Sequence, residues 1–297
     1  YAVLAGAPAA VMAVNRYAQA NLRPGKRHTR FSSKGLLTPG VYKSDRRFCR
    51  APAAAMAETV LRECGHRTYP MHFDLLSDTS AFFADSGAKL GIGSSAALCT
   101  ATYIAFCRLL DLPASETGAI AAHRAFQGGT GSGLDVAASW HGGVIRFEDG
   151  NGTPWLWPAH LHWRIVWTGT SASTIDSLGD FAAWRRGGRQ SILHELGQSG
   201  RALFDGLDLE SLRTYCTHLQ ALDAEAGLNI FTPEHQRLAT IASAHGVVYK
   251  PCGAGGGDIG FACGDDVNAL EAFAAAAATE QFVPLELEIA SHGVQAG

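Results

Sequence analysis

A glycine-rich turn with the sequence Lys-Leu-Gly-Ile-Gly-Ser-Ser-Ala-Ala, at residues 89–97, leads into an apolar, alanine-rich segment that runs to about residue 110. Glycine lets a backbone adopt positive φ and approach a ligand closely, and a helix N-terminus favours an anion. Ser94 and Ser95 add hydroxyls that can reach a metal or a phosphate oxygen. Because Lys89 precedes the glycines, the turn is not a Walker A loop. The pattern predicts a phosphate-binding helix start of another class.

Two further glycine-rich segments each carry a carboxylate. Residues 128–138 read Gly-Gly-Thr-Gly-Ser-Gly-Leu-Asp-Val-Ala-Ala and include Asp135. Residues 250–260 read Lys-Pro-Cys-Gly-Ala-Gly-Gly-Gly-Asp-Ile-Gly and include Asp258. A single glycine turn often does no more than reverse the chain or cap a helix. Three such loops beside apolar, strand-like runs indicate a ligand site.

Hydrophobic periodicity predicts the elements that must position these loops. We expect strands over residues 11–19, 71–76, 143–147, 162–167, 246–249, 260–263 and 284–290. We expect helices after Ser95, over residues 115–126, 174–184, 189–204, 209–226 and 233–245, and through the alanine run that follows Asp265 and Asp266. The elements alternate without the regular spacing of a Rossmann sheet, so the predicted fold class is α+β. The polar stretch 149–158 is the expected junction between domains 1–158 and 159–297.

Composition limits the classes of partner. Charged residues make up 17% of the 297 residues, the net charge is near −3, and no patterned basic helix is present, so we expect neither a nucleic-acid nor a membrane partner. The seven cysteines form no Cys-x-x-Cys motif and leave one over after any pairing, which favours reduced thiols in the cytoplasm. We expect a monomer or a homodimer.

The three loops resemble the motifs of the GHMP kinase superfamily, whose second motif is a Gly-Leu-Gly-Ser-Ser-Ala-Ala loop. Within that superfamily the likeness is greatest to the phosphomevalonate kinases, because Lys89 directly precedes the loop, a Gly-Ser-Gly-x-Asp-Val-Ala-Ala run ends at Ala138, and Asp258 closes the late loop. The resemblance implies an N-terminal ATP-binding domain like ribosomal protein S5 domain 2, a ferredoxin-like C-terminal domain, and a site between them. Since the chain opens at Tyr1 inside the family's first motif, we expect upstream residues that include a lysine.

The resemblance also implies an activity, two cofactors and a set of site residues. We expect transfer of the γ-phosphate of ATP to (R)-5-phosphomevalonate in the mevalonate pathway of isoprenoid biosynthesis, with Mg²⁺ bound at Ser95. The residues that it assigns to the ATP phosphates are Gly91, Ile92, Gly93, Ser94, Ser95 and Ala96. The residues that it assigns to catalysis are Asp135 and Lys89. The residues that it assigns to the substrate are Lys89, Ser132, Asp135, Thr170, Ser171, Gly253, Ala254, Gly255 and Asp258.

A phosphate acceptor changes what the catalytic residues must do. A phosphomonoester has a second pKa of about 6, so its attacking oxygen is largely ionised at neutral pH without a general base. Repulsion between two polyanions then becomes the larger obstacle. We therefore expect Lys89 to matter at least as much as Asp135.

Metal ligation is where the sequence departs from the family pattern. Many members supply a glutamate ahead of the Ser-Gly-x-Asp run, whereas residues 123–127 here read His-Arg-Ala-Phe-Gln. Mg²⁺ keeps several waters, so Ser95 and the nucleotide can suffice. We interpret His123 as a core or capping histidine rather than a ligand. We interpret His160 and His162 as structural, with a metal pair as the alternative, because alternate residues share one face of a strand.

Other interpretations stay open at this point. Ser95 can be a plain helix cap, and Asp135 can cap the segment 136–140. Residues 168–174 can be a polar strand-to-helix connection, and Lys250 can be a solvated surface charge. The alternative functions are mevalonate kinase or another small-molecule GHMP kinase, and a non-catalytic metabolite-binding relative.

Overall fold

The computed structural model of the chain describes residues 1–35, 40–42, 46–129, 131–172, 174–188 and 190–295. The chain forms two compact units that interleave along the sequence. The first unit comprises Tyr1–Ala10, Ala88–Ile92 and Trp155–Glu288, and the second comprises Val11–Gly87, Gly93–Pro154 and Ile289–Gly297. The chain leaves the second unit after Pro154, inside the expected junction 149–158. Each unit is assembled from three separate segments of the chain. The division into successive domains 1–158 and 159–297 therefore stays a prediction.

The second unit contains a four-stranded sheet in the order β2–β5–β3–β4. Its strands are β2 Gln19–Pro24, β3 Thr29–Lys34, β4 Gly40–Tyr42 and β5 Phe73–Asp78. β5 pairs antiparallel with β2 and parallel with β3, and alternate residues along it are buried. Phe73 on β5 meets Phe31, Tyr69 and Phe106 edge-on at ring-centroid distances of 5.7, 5.5 and 5.2 Å. These aromatic contacts join the sheet to the helix that carries Phe106.

Four helices of the second unit pack on one another. They are α1 Ala55–Glu63, α2 Ser94–Leu109, α3 Glu116–Phe126 and α4 Leu134–His141. α2 packs against the other three and against β2, so its position is fixed from several sides. Ser115 caps α3 by accepting a hydrogen bond from the Gly118 N–H at 3.1 Å.

A hairpin includes the first part of the polar stretch 149–158, the predicted domain junction. Strands β6 Val144–Glu148 and β7 Asn151–Pro154 pair antiparallel, and with β1 Ala9–Met12 they form a three-stranded sheet in the order β1–β6–β7. The two residues between β6 and β7, Asp149 and Gly150, have φ of 50° and 82°. An Asp-Gly pair with positive φ at both positions is typical of a two-residue hairpin turn.

Within the described residues, the first unit combines an antiparallel sheet with five helices. Its four-stranded sheet has the order β11–β8–β10–β9, from β8 His162–Trp167, β9 Val248–Pro251, β10 Ile259–Gly264 and β11 Val283–Leu285. Its helices are α5 Thr174–Arg185, α6 Gln190–Asp205, α7 Leu209–Ala226, α8 Pro233–Ala244 and α9 Val267–Thr279. Val166, Leu238, Ala262 and Phe273 meet in a core between the sheet, α8 and α9.

The predicted α+β class is confirmed, and β8 and α7 have the predicted bounds. The single strand expected over residues 11–19 is wrong, because the chain forms the separate strands β1 and β2 there. The strand expected over residues 284–290 is wrong beyond Leu285. Each of the seven cysteines is a free thiol. Among the described residues, no helix combines the length and the apolar composition that a membrane span needs.

Candidate functional site

Glycines in left-handed conformations shape the turn before α2. Gly91 has a φ of 74° and Gly93, which is the N-cap residue, has a φ of 86°. The first helical hydrogen bond runs from the Ala97 N–H to the Gly93 carbonyl at 3.1 Å. The N–H groups of a helix's first turn have no intrahelical acceptor, and the first turn of α2 carries no acidic side chain. The start of α2 therefore meets the requirements of an anion site.

The two serines of this turn have different surroundings. Ser94 is 1% exposed, and among the described residues its Oγ has no hydrogen-bond partner. Ser95 lies one residue further on, and its Oγ is 3.1 Å from Nε2 of His123. Neither side chain caps the helix, because Gly93 occupies the N-cap position. The helix-cap interpretation of Ser95 is therefore wrong.

His123 reaches Ser95 from α3, the helix that packs beside α2. Its side chain is buried, and burial lowers its pKa to about 4. The ring is therefore neutral near pH 7, and one of its nitrogens can accept a hydrogen bond. The expectation that His123 is a core histidine is correct in its burial but incomplete, since the ring contacts a predicted site residue.

Arg124, the next residue of α3, holds the second glycine loop. Its Nε donates to the Gly131 carbonyl at 2.9 Å, and its terminal nitrogen donates to the Ser132 carbonyl at 2.6 Å. Gly133 then closes the loop as the N-cap of α4, with a φ of 91°. A Cβ at Gly133 would lie 2.7 Å from a methyl carbon of Ile120 on α3. The loop thus rests on α3 through both its carbonyls and its glycine.

Asp135 lies in the first turn of α4 and is exposed. It is the second residue of the helix rather than its N-cap, so the interpretation of Asp135 as a cap is wrong. A carboxylate in a first turn is stabilised by the helix dipole. The Ser132 hydroxyl accepts a long hydrogen bond, 3.4 Å, from the Leu134 N–H and lies beside this turn.

In the first unit, Asp258 joins the late glycine loop to the loop after β8. Asp258 has a φ of 57°, in the left-handed region that aspartate tolerates better than most residues. Its N–H donates to the Thr170 carbonyl at 2.7 Å, and its carbonyl accepts from the Thr168 N–H at 2.9 Å. Its carboxylate Oδ1 accepts from the Ala172 N–H at 3.2 Å. Residues 168–172 are therefore more than a polar connection, because backbone hydrogen bonds fix them to Asp258.

The same carboxylate packs onto the turn that starts the phosphate-binding loop. A Cβ at Gly91 would lie 2.2 Å from Cγ of Asp258, so only glycine fits there. Burial raises the pKa of the Asp258 carboxyl, against the opposing effects of the Ala172 N–H and the Lys89 ammonium. The Ser171 hydroxyl donates to the Lys89 carbonyl at 3.4 Å. The structure thus brings five predicted substrate or phosphate residues together: Lys89, Gly91, Thr170, Ser171 and Asp258.

Packing requires a glycine at residue 255 of the late loop but not at residue 253. A Cβ at Gly255 would lie 2.6 Å from Ile230, whereas the space beside Gly253 is open to 4 Å. The carbonyl of Ala254 accepts a hydrogen bond from the Tyr1 hydroxyl at 2.7 Å. Among these predicted substrate residues, Gly253 is therefore the exposed one with free space beside its Cα.

His235 and Tyr249 form a buried pair that the sequence did not predict, and the pair contacts Gly257, the residue before Asp258. The ring of His235 is fully buried, with Nε2 3.0 Å from the Gly257 carbonyl and Nδ1 2.8 Å from the Tyr249 hydroxyl. A carbonyl only accepts, so Nε2 carries the proton and Nδ1 accepts from Tyr249. Burial keeps the ring neutral by lowering the pKa of His235. The signal in the sequence is weak, because His235 follows an ordinary Thr-Pro helix start.

Three further candidates from the sequence have other surroundings. Lys250 is half-buried and its ammonium donates to the Pro251 carbonyl at 2.6 Å, so it is not a freely solvated charge. β8 begins at His162, whereas His160 lies in the turn before it, so the two do not alternate along a strand. In the described part of the chain, no group of three His, Cys, Asp or Glu side chains is placed to hold a metal.

Comparison with known proteins identifies the class. Residues 53–143 match the model of the GHMP kinases N terminal domain. The phosphomevalonate kinase of Streptomyces sp. (strain CL190) is 33% identical over 253 residues, which cover 71% of this chain and 67% of the relative. The chain therefore belongs to the GHMP kinase family, and it is a kinase similar to phosphomevalonate kinase.

Solved structures agree with this fold. A Lin0012 protein from Listeria innocua superposes with a TM-score of 0.82 at 23% identity, with 100% of this chain and 96% of that chain covered. The Streptococcus pneumoniae phosphomevalonate kinase in complex with phosphomevalonate and AMPPNP gives a TM-score of 0.77 at 18% identity, with coverages of 97% and 95%. The two-domain GHMP kinase fold that the motifs predict is confirmed.

Proposed function

We propose that this kinase transfers the γ-phosphate of ATP to (R)-5-phosphomevalonate and releases ADP and the 5-diphosphate. The observation that carries the proposal is Lys89, placed beside Asp258 and directly ahead of the anion-binding turn. A lysine there supplies the cation that a phosphorylated acceptor needs more than a base. The 33% identity to a phosphomevalonate kinase supports the same acceptor.

The nucleotide end of the site is assigned to residues 91–96. The backbone N–H groups at the start of α2 face no intrahelical acceptor and bind the nucleotide phosphates in this proposal. Ser94 contributes a buried hydroxyl without a protein partner. A bound Mg²⁺ would neutralise charge on the transferred phosphate. Ser95 fits that ion as an oxygen ligand, because Mg²⁺ keeps several of its waters and needs few protein ligands.

The acceptor end is assigned to the cluster around Lys89. Its ammonium offsets the repulsion between the acceptor phosphate and ATP. Thr170 and Ser171 are exposed on the loop held by Asp258, so both residues are accessible to the acceptor. Asp258 itself holds this loop through Ala172 and thereby positions its donors.

The chemical step requires one bond to form and one to break. An ionised oxygen of the acceptor phosphate attacks the γ-phosphorus, and the bond from that phosphorus to the β,γ-bridging oxygen breaks, which releases ADP. The acceptor oxygen is largely ionised at neutral pH, so catalysis does not depend on proton removal by Asp135. In this proposal Asp135, in the first turn of α4, orients the acceptor.

A coupled assay of ADP release with the full-length protein tests the proposal. The acceptors are phosphomevalonate, mevalonate, homoserine and galactose, each with ATP and Mg²⁺. Turnover with phosphomevalonate well above the others is the expected result. Turnover only with an unphosphorylated acceptor would contradict the proposal and favour another small-molecule GHMP kinase. ATP binding without transfer to any acceptor would favour a non-catalytic relative.

A further inference from the structure

The contact between Ser95 and His123 joins the start of α2 to α3 in the second unit. The Nε2 atom of His123, on α3, is 3.1 Å from the hydroxyl of Ser95 in the first turn of α2. The neighbouring hydroxyl of Ser94 is buried and has no partner among the described residues. Two adjacent serines at one helix start therefore differ in what their hydroxyl protons can do.

We infer that Nε2 of His123 accepts the hydroxyl proton of Ser95, which leaves only oxygen lone pairs of Ser95 to face a ligand. A serine hydroxyl has one proton to donate and two lone pairs to accept with. Once the proton is directed at His123, Ser95 can bind a cation but cannot donate to a phosphate oxygen. His123 is then a positioning residue that makes Ser95 a metal ligand.

Ser94 has the opposite role in this arrangement. Its proton is not taken by any described protein group, so the hydroxyl can donate to a nucleotide phosphate oxygen. A buried hydroxyl that stays unpaired costs about 1–3 kcal/mol, and a bound phosphate would remove that cost. The two serines thus divide the metal and the phosphate between them. This inference rests on the proposed function, because it assumes a metal-bound nucleotide at the start of α2.

The contact is fixed by packing rather than by chance orientation. α3 packs on α2, and the adjacent Arg124 anchors the same stretch of α3 to the carbonyls of Gly131 and Ser132. His123 is buried, so its ring has little freedom to turn away from Ser95. A group held in this way behaves like the outer hydrogen-bond partners of metal ligands in other proteins, which orient the ligand atom.

Two variants of His123 distinguish the loss of its hydrogen-bond acceptor from the loss of its volume. His123→Leu introduces an apolar side chain of similar volume and removes the acceptor. His123→Gln supplies an amide oxygen as an acceptor at a similar distance from the backbone. The measurement is the affinity for a fluorescent ATP analogue, titrated with and without Mg²⁺. For His123→Leu we expect the Mg²⁺ concentration at half-maximal binding to rise by about tenfold, with metal-free affinity unchanged. His123→Gln should recover most of that loss.

Ser94→Ala is the control variant. It should weaken the analogue to a similar extent with and without Mg²⁺, because Ser94 is assigned to phosphate rather than to metal. An unchanged Mg²⁺ dependence in His123→Leu would overturn the inference, as would an equal loss with and without metal. If the wild-type protein binds no ATP analogue at all, the proposed function fails rather than this inference.

A second measurement needs no variant. The ¹⁵N chemical shifts of His123 in the wild-type protein report which ring nitrogen carries the proton. The inference requires the proton on Nδ1 and an unprotonated Nε2. A protonated Nε2 would contradict it, because the ring would then donate to Ser95 and leave that hydroxyl free to donate to phosphate.

Discussion

The start of α2 and the loop that ends at Asp258 are both glycine-rich, but they are held in different ways. At α2, the groups assigned to the nucleotide are side chains and N–H groups at the start of a helix, and His123 of α3 contacts Ser95 there. At Asp258, backbone hydrogen bonds to Thr168 and Thr170 hold one loop against another.

Because the two regions are held differently, substitutions in them should have different effects. A side chain at the start of α2 can be changed without disturbing the helix, because packing of α2 on its neighbours holds it in place. Gly255 in the late loop cannot be changed freely, because Ile230 occupies the space beside it. Substitutions in the first region should therefore alter catalysis and metal use, and those in the late loop should alter stability first.

Lys89→Met should have the largest effect, because it removes the cation assigned to the acceptor phosphate. We expect kcat/KM for phosphomevalonate to fall by about 1000-fold with little change in the folding midpoint. Lys250→Met is the control, since it removes another half-buried lysine whose ammonium is bonded to a backbone carbonyl. Equal losses in the two variants would show that lysine removal acts through stability and not through the acceptor.

Asp135→Asn should have a smaller effect than Lys89→Met. The attacking oxygen is already ionised, so only orientation is lost, and we expect kcat to fall by about 100-fold, the low end for general-base residues. Steady-state kinetics with phosphomevalonate at pH 7.5 measures both variants. If Asp135→Asn is the more damaging of the two, the acceptor oxygen arrives protonated and the assignment of a phosphate acceptor is wrong.

Gly255→Ala tests the role of shape in the late loop. Its Cβ would lie 2.6 Å from Ile230 at a φ of 72°, so we expect the free energy of unfolding to fall by about 2–4 kcal/mol. Gly253→Ala is the matched control, because it has a similar φ of 57° but open space, and should cost about 1 kcal/mol. Urea denaturation measures both. Equal costs would mean that backbone conformation, not contact with Ile230, requires the glycine.

His235 should make stability depend on pH. Burial lowers the pKa of His235, whereas an unfolded histidine titrates at about 6.5. The unfolded chain therefore binds the proton first, and stability that is present above about pH 6.5 is lost as the pH falls, by up to about 1.4 kcal/mol per pH unit. His235→Gln should lose this part of the slope between pH 7 and 5. The same slope in both proteins would contradict it.

The sequence predicts most regular elements and misses the irregular ones for identifiable reasons. α7 has a capping box at Asp208 and a left-handed Gly227 at its end, so its bounds are readable from residue types. β3 has the polar sequence Thr-Arg-Phe-Ser-Ser-Lys and is recognisable only through its pairing with β5. The stretch 149–158 looks like a linker because β7 is polar, although its Asp-Gly turn is a hairpin signal.

The sequence likewise predicts only some of the residues of the candidate site. Motifs locate Ser95, Asp135 and Asp258, but the roles assigned to these residues stay predictions. His123 and His235 were not recognised as supports, because their contacts join residues 28 and 22 positions apart. No local pattern encodes such contacts, since they depend on how α3 packs on α2 and how α8 meets the late loop.

The most direct test of the account is ³¹P NMR of a reaction that contains the full-length protein, ATP, Mg²⁺ and (R)-5-phosphomevalonate. We predict that the monoester resonance disappears as ADP forms, and that two coupled resonances of a new diphosphate replace it in equal amounts. A monoester resonance that persists while ATP is consumed would contradict the assignment of a phosphate acceptor. Consumption of ATP only when mevalonate replaces phosphomevalonate would contradict it as well.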